Sequence, residues 1–128
     1  MGNMQLFGIR TKLIKPRDDL VKVFLDAVNG QGLTIEDGDI LAVASKAVAT
    51  VQGRMVKLSS IKPSERAEEL ARKYSMEPSI VELVLKEAEE IYGGVSGALL
   101  TLKSKVLIPN AGVDHKNVPE GQVVLWPE

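Results

Sequence analysis

Cysteine is missing altogether, and histidine occurs once, at position 115, in a chain of 128 residues. The first absence excludes disulfides, thiolate nucleophiles and sulfur-ligated zinc. The second leaves no histidine metal cage, and no Ser–His–Asp triad unless His115 serves. Long apolar runs are also lacking. The stretch Ile40–Ala44 is far too short to span a bilayer, and no signal peptide precedes it, so the cytoplasm is the expected location and no membrane partner is expected. Neither sign of charge dominates, with 16 basic residues against 17 acidic ones. That balance removes the electrostatic reason to expect nucleic acid as a partner. The phosphate-binding pattern GxxxxGK[ST] is absent too. The glycine-rich "GGVSG", Gly93–Gly97, follows a predicted helix where a nucleotide loop would precede one. Those glycines read as a helix stop and a turn.

What remains is an ordinary globular composition, 45% hydrophobic and 26% charged. A chain of this length makes one domain, 1–128, and buries roughly two-thirds of its unfolded surface without staples. Met4 is a candidate natural start, with the residues before it an addition. A short strand is expected from Met4 to Ile9. Asp18 and Asp19 then open a helix, because carboxylates there accept from free N–H groups and complement the dipole. Leu20, Val23, Phe24, Ala27 and Val28 fall on one of its faces, and Asn29–Gly30 ends it.

"LTIEDGDILAVAS" places a turn at Asp37–Gly38 ahead of Ile40–Ala44, a run apolar on both faces and so expected to be a strand covered on both sides. After a turn at Gln52–Gly53, a second strand is expected from Arg54 to Leu58. Two helices follow. One, in "PSERAEELARKY", carries the stripe Ala67, Leu70, Ala71 and Tyr74. The other starts at Pro78 and runs to a stop at Gly93, with the stripe Ile80, Val84, Ala88 and Ile91. Two strands joined near Ser104–Lys105 and a last one at Val123–Trp126 complete the chain. The order lacks regular βαβ alternation. It predicts an α+β domain, a mixed sheet with helices, and not a Rossmann fold.

Three places carry candidate chemistry. Glu82, Glu87, Glu89 and Glu90 suggest a metal cluster, but at helical spacing beside an apolar stripe they read as a solvated face. Ser45 and Lys46 sit where the expected buried strand delivers the chain to a loop. There a lysine can lie along a phosphate, or the strand can simply end in polar residues. "NAGVDHKN" is the sharpest signal. A carboxylate with an amide three residues on, beside a glycine that admits backbone to a ligand, suits a cation bridged to phosphate; the same residues also make an ordinary tight turn. His115 is expected to be exposed and without an orienting partner.

Taken together, "KLIKPRDDL", "EDGDILAVASKAVATVQGR", "KPSERAEELA", "VLKEAEEI" and "NAGVDHKNVPEG" occur in an order and at distances that resemble the N-terminal half of the coenzyme F-420-0:gamma-glutamyl ligase family. Its members carry an Asn-Ala-Gly-(Ile/Val)-Asp-x-x-Asn-Val segment. The resemblance covers roughly Leu6 to Leu125. It implies a GTP-dependent ligase that adds L-glutamate to a deazaflavin coenzyme precursor, F-420-0, through an acyl phosphate, with Mg²⁺ or Mn²⁺ neutralising charge. By the same resemblance Asp114 matches a metal-binding aspartate, and Asn117 an asparagine that contacts the nucleotide. Ser45 and Lys46 match nucleotide-contacting positions, as do Thr11, Lys12, Leu13 and Ile14. No catalytic residue is assigned.

Two departures count against a working enzyme. The family's Ser-Lys-Ala-Glu-Gly-Arg is here Ala49, Thr50, Val51, Gln52, Gly53 and Arg54, so a phosphate-reaching lysine is replaced by Thr50 and an acidic residue by Gln52. Family enzymes also continue for about as many residues again, with further metal and nucleotide ligands. The expectation is therefore a part-site, not catalytic alone, completed by a C-terminal polypeptide or present in a homodimer. The alternative is a non-catalytic nucleotide-binding or protein-interaction module built on the same fold.

Overall fold

Helix α1, Leu20–Gly30, begins where Asp19 accepts a hydrogen bond from the Lys22 amide at 3.0 Å. It buries Val23 and Val28 on the expected face. The structure, a computed structural model, describes residues 4–128, so the addition read ahead of Met4 lies outside the described residues. After α1 come α2 (Ser45–Val51), β1 (Met55–Lys57), α3 (Glu65–Tyr74) and α4 (Pro78–Glu87). The chain finishes with β2 (Glu90–Val95), β3 (Ala98–Lys103), β4 (Val106–Pro109) and β5 (Gln122–Val124). The architecture is α+β. In place of one mixed sheet there are two, antiparallel throughout: a ribbon of β1 with β5, and a three-stranded sheet in the order β2-β3-β4. No helix among the described residues is long and apolar enough to cross a membrane.

The core lies between α3, α4, β3, β5 and the turn that follows β4. Ala67, Leu70 and Ala71 of α3 meet Val81, Leu83 and Val84 of α4, with Leu99, Ala111, Val113, Val123 and Leu125 closing the other side. Val81, Val84, Leu99 and Val123 are fully buried, each contributing about 1.5–3 kcal/mol of transfer free energy. Helix α3 presents the stripe its spacing predicts. The stripe expected of α4 also meets the core, with Val84 fully buried and Ile80, Ala88 and Ile91 packed against it, but Ala88 and Ile91 lie beyond the helix end and burial extends to Val81, Glu82 and Leu83.

Glu82 corrects the reading of the glutamates as a solvated face. Its carboxylate accepts from both the amide and the hydroxyl of Ser64, at 2.9 and 2.6 Å. Ser64 is itself the N-cap of α3, accepting from the Ala67 amide. One buried carboxylate on α4 thus fixes the start of α3. Glu87 is also drawn inward, between Arg54 at 2.7 Å and Lys103. Arg54 extends the cluster to the Trp126 carbonyl at 3.1 Å and to Glu128 at 2.8 Å. Its planar fork therefore ties β1 to α4 and to the C-terminal segment.

Three further expectations fail for physical reasons. Helix α4 stops at Glu87, not Gly93, because the next residues are claimed by a strand: the Glu89 amide donates to the Leu102 carbonyl and its carboxylate accepts from the Ser104 amide. Gly93 lies inside β2 at φ +139, beside the register shift between Ile91 and Gly93, and the turn of the glycine-rich segment is at Ser96–Gly97. Met4–Ile9 forms no strand, since nothing pairs with it among the described residues. Ile40–Ala44 likewise forms no strand and is exposed, with Ala44 serving as the N-cap of α2. Ser45 and Lys46 therefore open a helix and do not end a strand.

Glu82 yields a pH prediction. The hydrogen bonds from Ser64 hold its carboxyl below the ordinary value of 4.5, with Lys86 adding a smaller pull in the same direction. A depressed folded value means stability that is present above pH 4.5 and lost as pH falls through the folded value. Urea midpoints measured from pH 7 to pH 3 are expected to fall most below 4.5, and Glu82→Gln to remove part of that slope. Glu82→Ala, which strands the Ser64 amide, is expected to cost about 1–3 kcal/mol at pH 7.

Candidate functional site

The segment Asn110–Ala111–Gly112 turns through three consecutive left-handed residues, at φ 54, 50 and 74. Two of these are not glycine, and each costs on the order of 1–3 kcal/mol unless the surroundings compel it. Here they do. Asn110 Oδ1 accepts from the Leu99 amide at 2.8 Å, and the Ala111 amide donates to Thr101 Oγ1 at 2.8 Å. The Thr101 hydroxyl in turn donates to the Ile108 carbonyl. Ala111 is fully buried. At Gly112 a Cβ would stand 2.7 Å from Cε3 of Trp126, so glycine is required by space as well as by φ.

This turn delivers Asp114. Its backbone is locked to Val124 by a reciprocal pair of hydrogen bonds at 2.9 and 2.8 Å, an isolated bridge beside β5. Its side chain stands half-exposed and faces Lys46, with Nζ 2.9 Å from Oδ2. Oδ1 accepts from the Lys116 amide at 2.8 Å, and Lys46 also donates to the Lys116 carbonyl. The hydrogen bond from Lys46 is the largest influence holding the Asp114 carboxyl below its ordinary value of 3.8. Partial burial opposes it, while the Lys116 amide and the charges of Lys46 and His115 reinforce it.

Of the sequence candidates, Lys46 and Asp114 are brought together from distant parts of the chain. Ser45 is the exposed first residue of α2, adjacent to Lys46. Asn117 lies in the same loop as Asp114, exposed and left-handed at φ 54. Thr11, Lys12, Leu13 and Ile14 lie apart, on the extended segment before α1. Lys12 is paired with Asp18 at 2.9 Å and Leu13 is exposed. Among the described residues no hydrogen bond or ion pair joins this stretch to Lys46, Asp114 or Asn117. The stretch reaches α2 only indirectly, through the Arg17 amide, which donates to the Val51 carbonyl at 2.9 Å. His115 is exposed, as expected.

The side-chain oxygen of Asn110, at the head of the motif, is spent inside the fold on the Leu99 amide and is not offered to a ligand. Thr101 was missed. Its only signal in the sequence is a hydroxyl inside the apolar run "ALLTLK", which has no outward explanation once that strand is buried. The departures from the family motif also acquire partners. The Thr50 hydroxyl donates to the Lys46 carbonyl at 2.8 Å. Gln52 exchanges two hydrogen bonds with the backbone of Glu128, each of 3.0 Å. A carboxylate could accept but not donate, so the reciprocal pair needs an amide.

As a metal site the arrangement is incomplete. No group of three or more His, Asp or Glu side chains placed to hold a metal ion is found among the described residues. Asp114 offers one carboxylate, with both oxygens engaged. A magnesium ion on a nucleotide takes one or two carboxylates together with phosphate oxygens and water, so these residues do not form the centre by themselves. A cleft of about 360 Å³ lies elsewhere, beside Arg54, Glu87, Lys103 and Glu128, where the charges neutralise one another.

Residues 8–128 match the model of the F420-0:Gamma-glutamyl ligase family. The chain belongs to that family. Similar curated proteins include the coenzyme F420:L-glutamate ligase of Methanopyrus kandleri, 34% identical over 116 residues, which make up 90% of this chain and 44% of the relative. That of Archaeoglobus fulgidus is 36% identical over 115 residues, again 90% of this chain and 44% of the relative. That of Methanothermobacter thermautotrophicus is 33% identical over 126 residues, 97% and 50%. The chain spans about half the length of these relatives.

The clamp on the turn makes Gly112→Ala a severe change. A Cβ there combines a left-handed backbone with a clash against Trp126, and the expected loss is about 2–4 kcal/mol. Urea unfolding monitored by Trp126, the one tryptophan, measures it directly.

Proposed function

We propose that this chain supplies one wall of the nucleotide site of an enzyme that joins L-glutamate to the coenzyme precursor F420-0, with GTP as phosphoryl donor and an acyl phosphate as intermediate. The observation that carries the reading is the Lys46–Asp114 pair. A cation at the head of α2 and a carboxylate on a rigid turn meet on an open surface, in a chain whose relatives are named coenzyme F420:L-glutamate ligases. Phosphoryl transfer needs positioned positive charge more than a base, which agrees with a site of Lys, Asp and Asn and a single unoriented His. Lys46 would bind phosphate as a point charge. Asp114 would help hold a divalent ion that neutralises the triphosphate, in company with oxygen ligands that the described residues do not provide.

A second reading is favoured by Gln52. Where the family carries an acidic residue, this amide is committed to the backbone of Glu128, and the lysine expected nearby is Thr50. Those two changes fit a binding module that has kept the turn and given up part of the phosphate contact.

Calorimetric titration with GTP and Mn²⁺ tests the first reading. The chain alone is expected to bind weakly or not at all. Tight binding abolished by Asp114→Ala would contradict the view that part of the site is absent. A companion measurement uses Mn²⁺ alone, followed by its paramagnetic resonance. Lys46→Met removes the cation that competes for Asp114 and is expected to raise Mn²⁺ affinity several-fold; an unchanged or lower affinity would contradict competition at that carboxylate.

A further inference from the structure

Thr101 is fully buried in the middle of β3, opposite Ile108 of β4. A hydroxyl has one proton to give and lone pairs to offer, and here both are spent on a single turn. The proton goes to the Ile108 carbonyl, and Oγ1 receives the Ala111 amide at 2.8 Å. In a closed turn the amide of the fourth residue donates straight to the carbonyl of the first. Among the described residues no such direct bond joins Ala111 to Ile108. The hydroxyl stands between the two groups and relays it, so one oxygen atom holds the turn open. The chain then passes through left-handed Asn110 and Ala111. Asparagine tolerates that conformation and alanine does not. Ala111 thus depends on its amide bond to Thr101, and Asp114 follows three residues later.

We propose that Thr101 is a positioning residue, whose hydroxyl acts as a spacer in this turn and so sets Asp114 against Lys46. A β-branched side chain has few rotamers, which gives the spacer a fixed reach. Without it the Ile108 carbonyl and the Ala111 amide are free to close on each other, and the turn that carries Asp114 is redrawn. The contact it serves, 2.9 Å from Lys46 Nζ to Asp114 Oδ2, tolerates little displacement. The bridge to Val124 holds Asp114 from the other side, and the near side is assigned to Thr101. What the pair does with a nucleotide rests on the ligase reading. Where Asp114 stands does not, and it is measured without nucleotide or metal.

The test follows the ε-ammonium group of Lys46 by nitrogen-15 NMR and reads how fast its protons exchange with water. The signal is assigned by its loss in Lys46→Arg. In the unaltered chain this ammonium donates to Asp114 and to the Lys116 carbonyl, so slow exchange is expected. Thr101→Val keeps the shape and removes both hydroxyl bonds, and is expected to speed the exchange about tenfold. Thr101→Ser keeps the hydroxyl and is expected to stay within about twofold of the unaltered chain. Val81→Ala is the control for lost stability: it is expected to lower the urea midpoint and leave the Lys46 signal alone. If Thr101→Val does not fold, Thr101→Ala takes its place with the same expectation, read in trimethylamine N-oxide, which favours the folded chain. Unchanged exchange in the variant lacking the hydroxyl would overturn the proposal, because Val124 alone would then place Asp114. So would equal loss in Thr101→Ser, or in Val81→Ala. Exchange in the unaltered chain as fast as that of a free lysine would overturn it as well.

Discussion

The left-handed turn at Asn110–Gly112 is the constraint on which the rest of the site depends. It carries two non-glycine residues in a conformation that L-amino acids avoid, so it exists only because the interior holds it. A side-chain oxygen of Asn110, the hydroxyl of Thr101 and the indole of Trp126 hold it from three directions. The result is that Asp114 leaves the core at a fixed point, and Val124 then fixes its backbone. The backbone of Asp114 is thus held from both sides, by the turn and by Val124, and a lysine from a distant helix meets its half-exposed carboxylate.

The remainder of the scaffold serves the same end by charge burial. Arg54 and Glu87 are each less than one-fifth exposed, and with Lys103 they join β1, α4 and β3. Removing one partner from such a cluster strands the others, a penalty usually larger than the net worth of the intact pairs. Glu82 and Ser64 do for the α3–α4 pair what Arg54 does for the C-terminal segment. Both devices use polar residues inside a small core, where apolar packing of Val81, Val84 and Leu99 supplies most of the driving force.

Helices α1 and α3, the hairpin turn at Ser104–Lys105 and the ribbon strand at Met55–Lys57 were legible in the sequence because local signals decide them: caps, stripes and turns. The strand at Ile40–Ala44 was misplaced because its pattern is right for a sheet that the described residues do not contain. Pattern reports what a segment can bury, and only neighbours determine whether it does. Helix α4 was drawn too long because its helical pattern continued past Glu87 while strand pairing, a long-range effect, ended it. In the site, Asp114 and Lys46 were each singled out, but their pairing was not, since no spacing rule links residues so far apart. Thr101 and the inward turn of Glu82 were illegible for the same reason: a buried polar group is explained by its partner, and the partner lies on another element.

If the turn is a rigid pedestal, the amides of Ala111 and Asp114 open only when the whole domain opens. Native-state hydrogen exchange across a urea series measures this directly. The expected result is that both amides exchange through global unfolding, with the same urea dependence as the amides of Leu99 and Val124. Exchange at Ala111 and Asp114 that is fast and insensitive to urea, as in an ordinary surface loop, would contradict it.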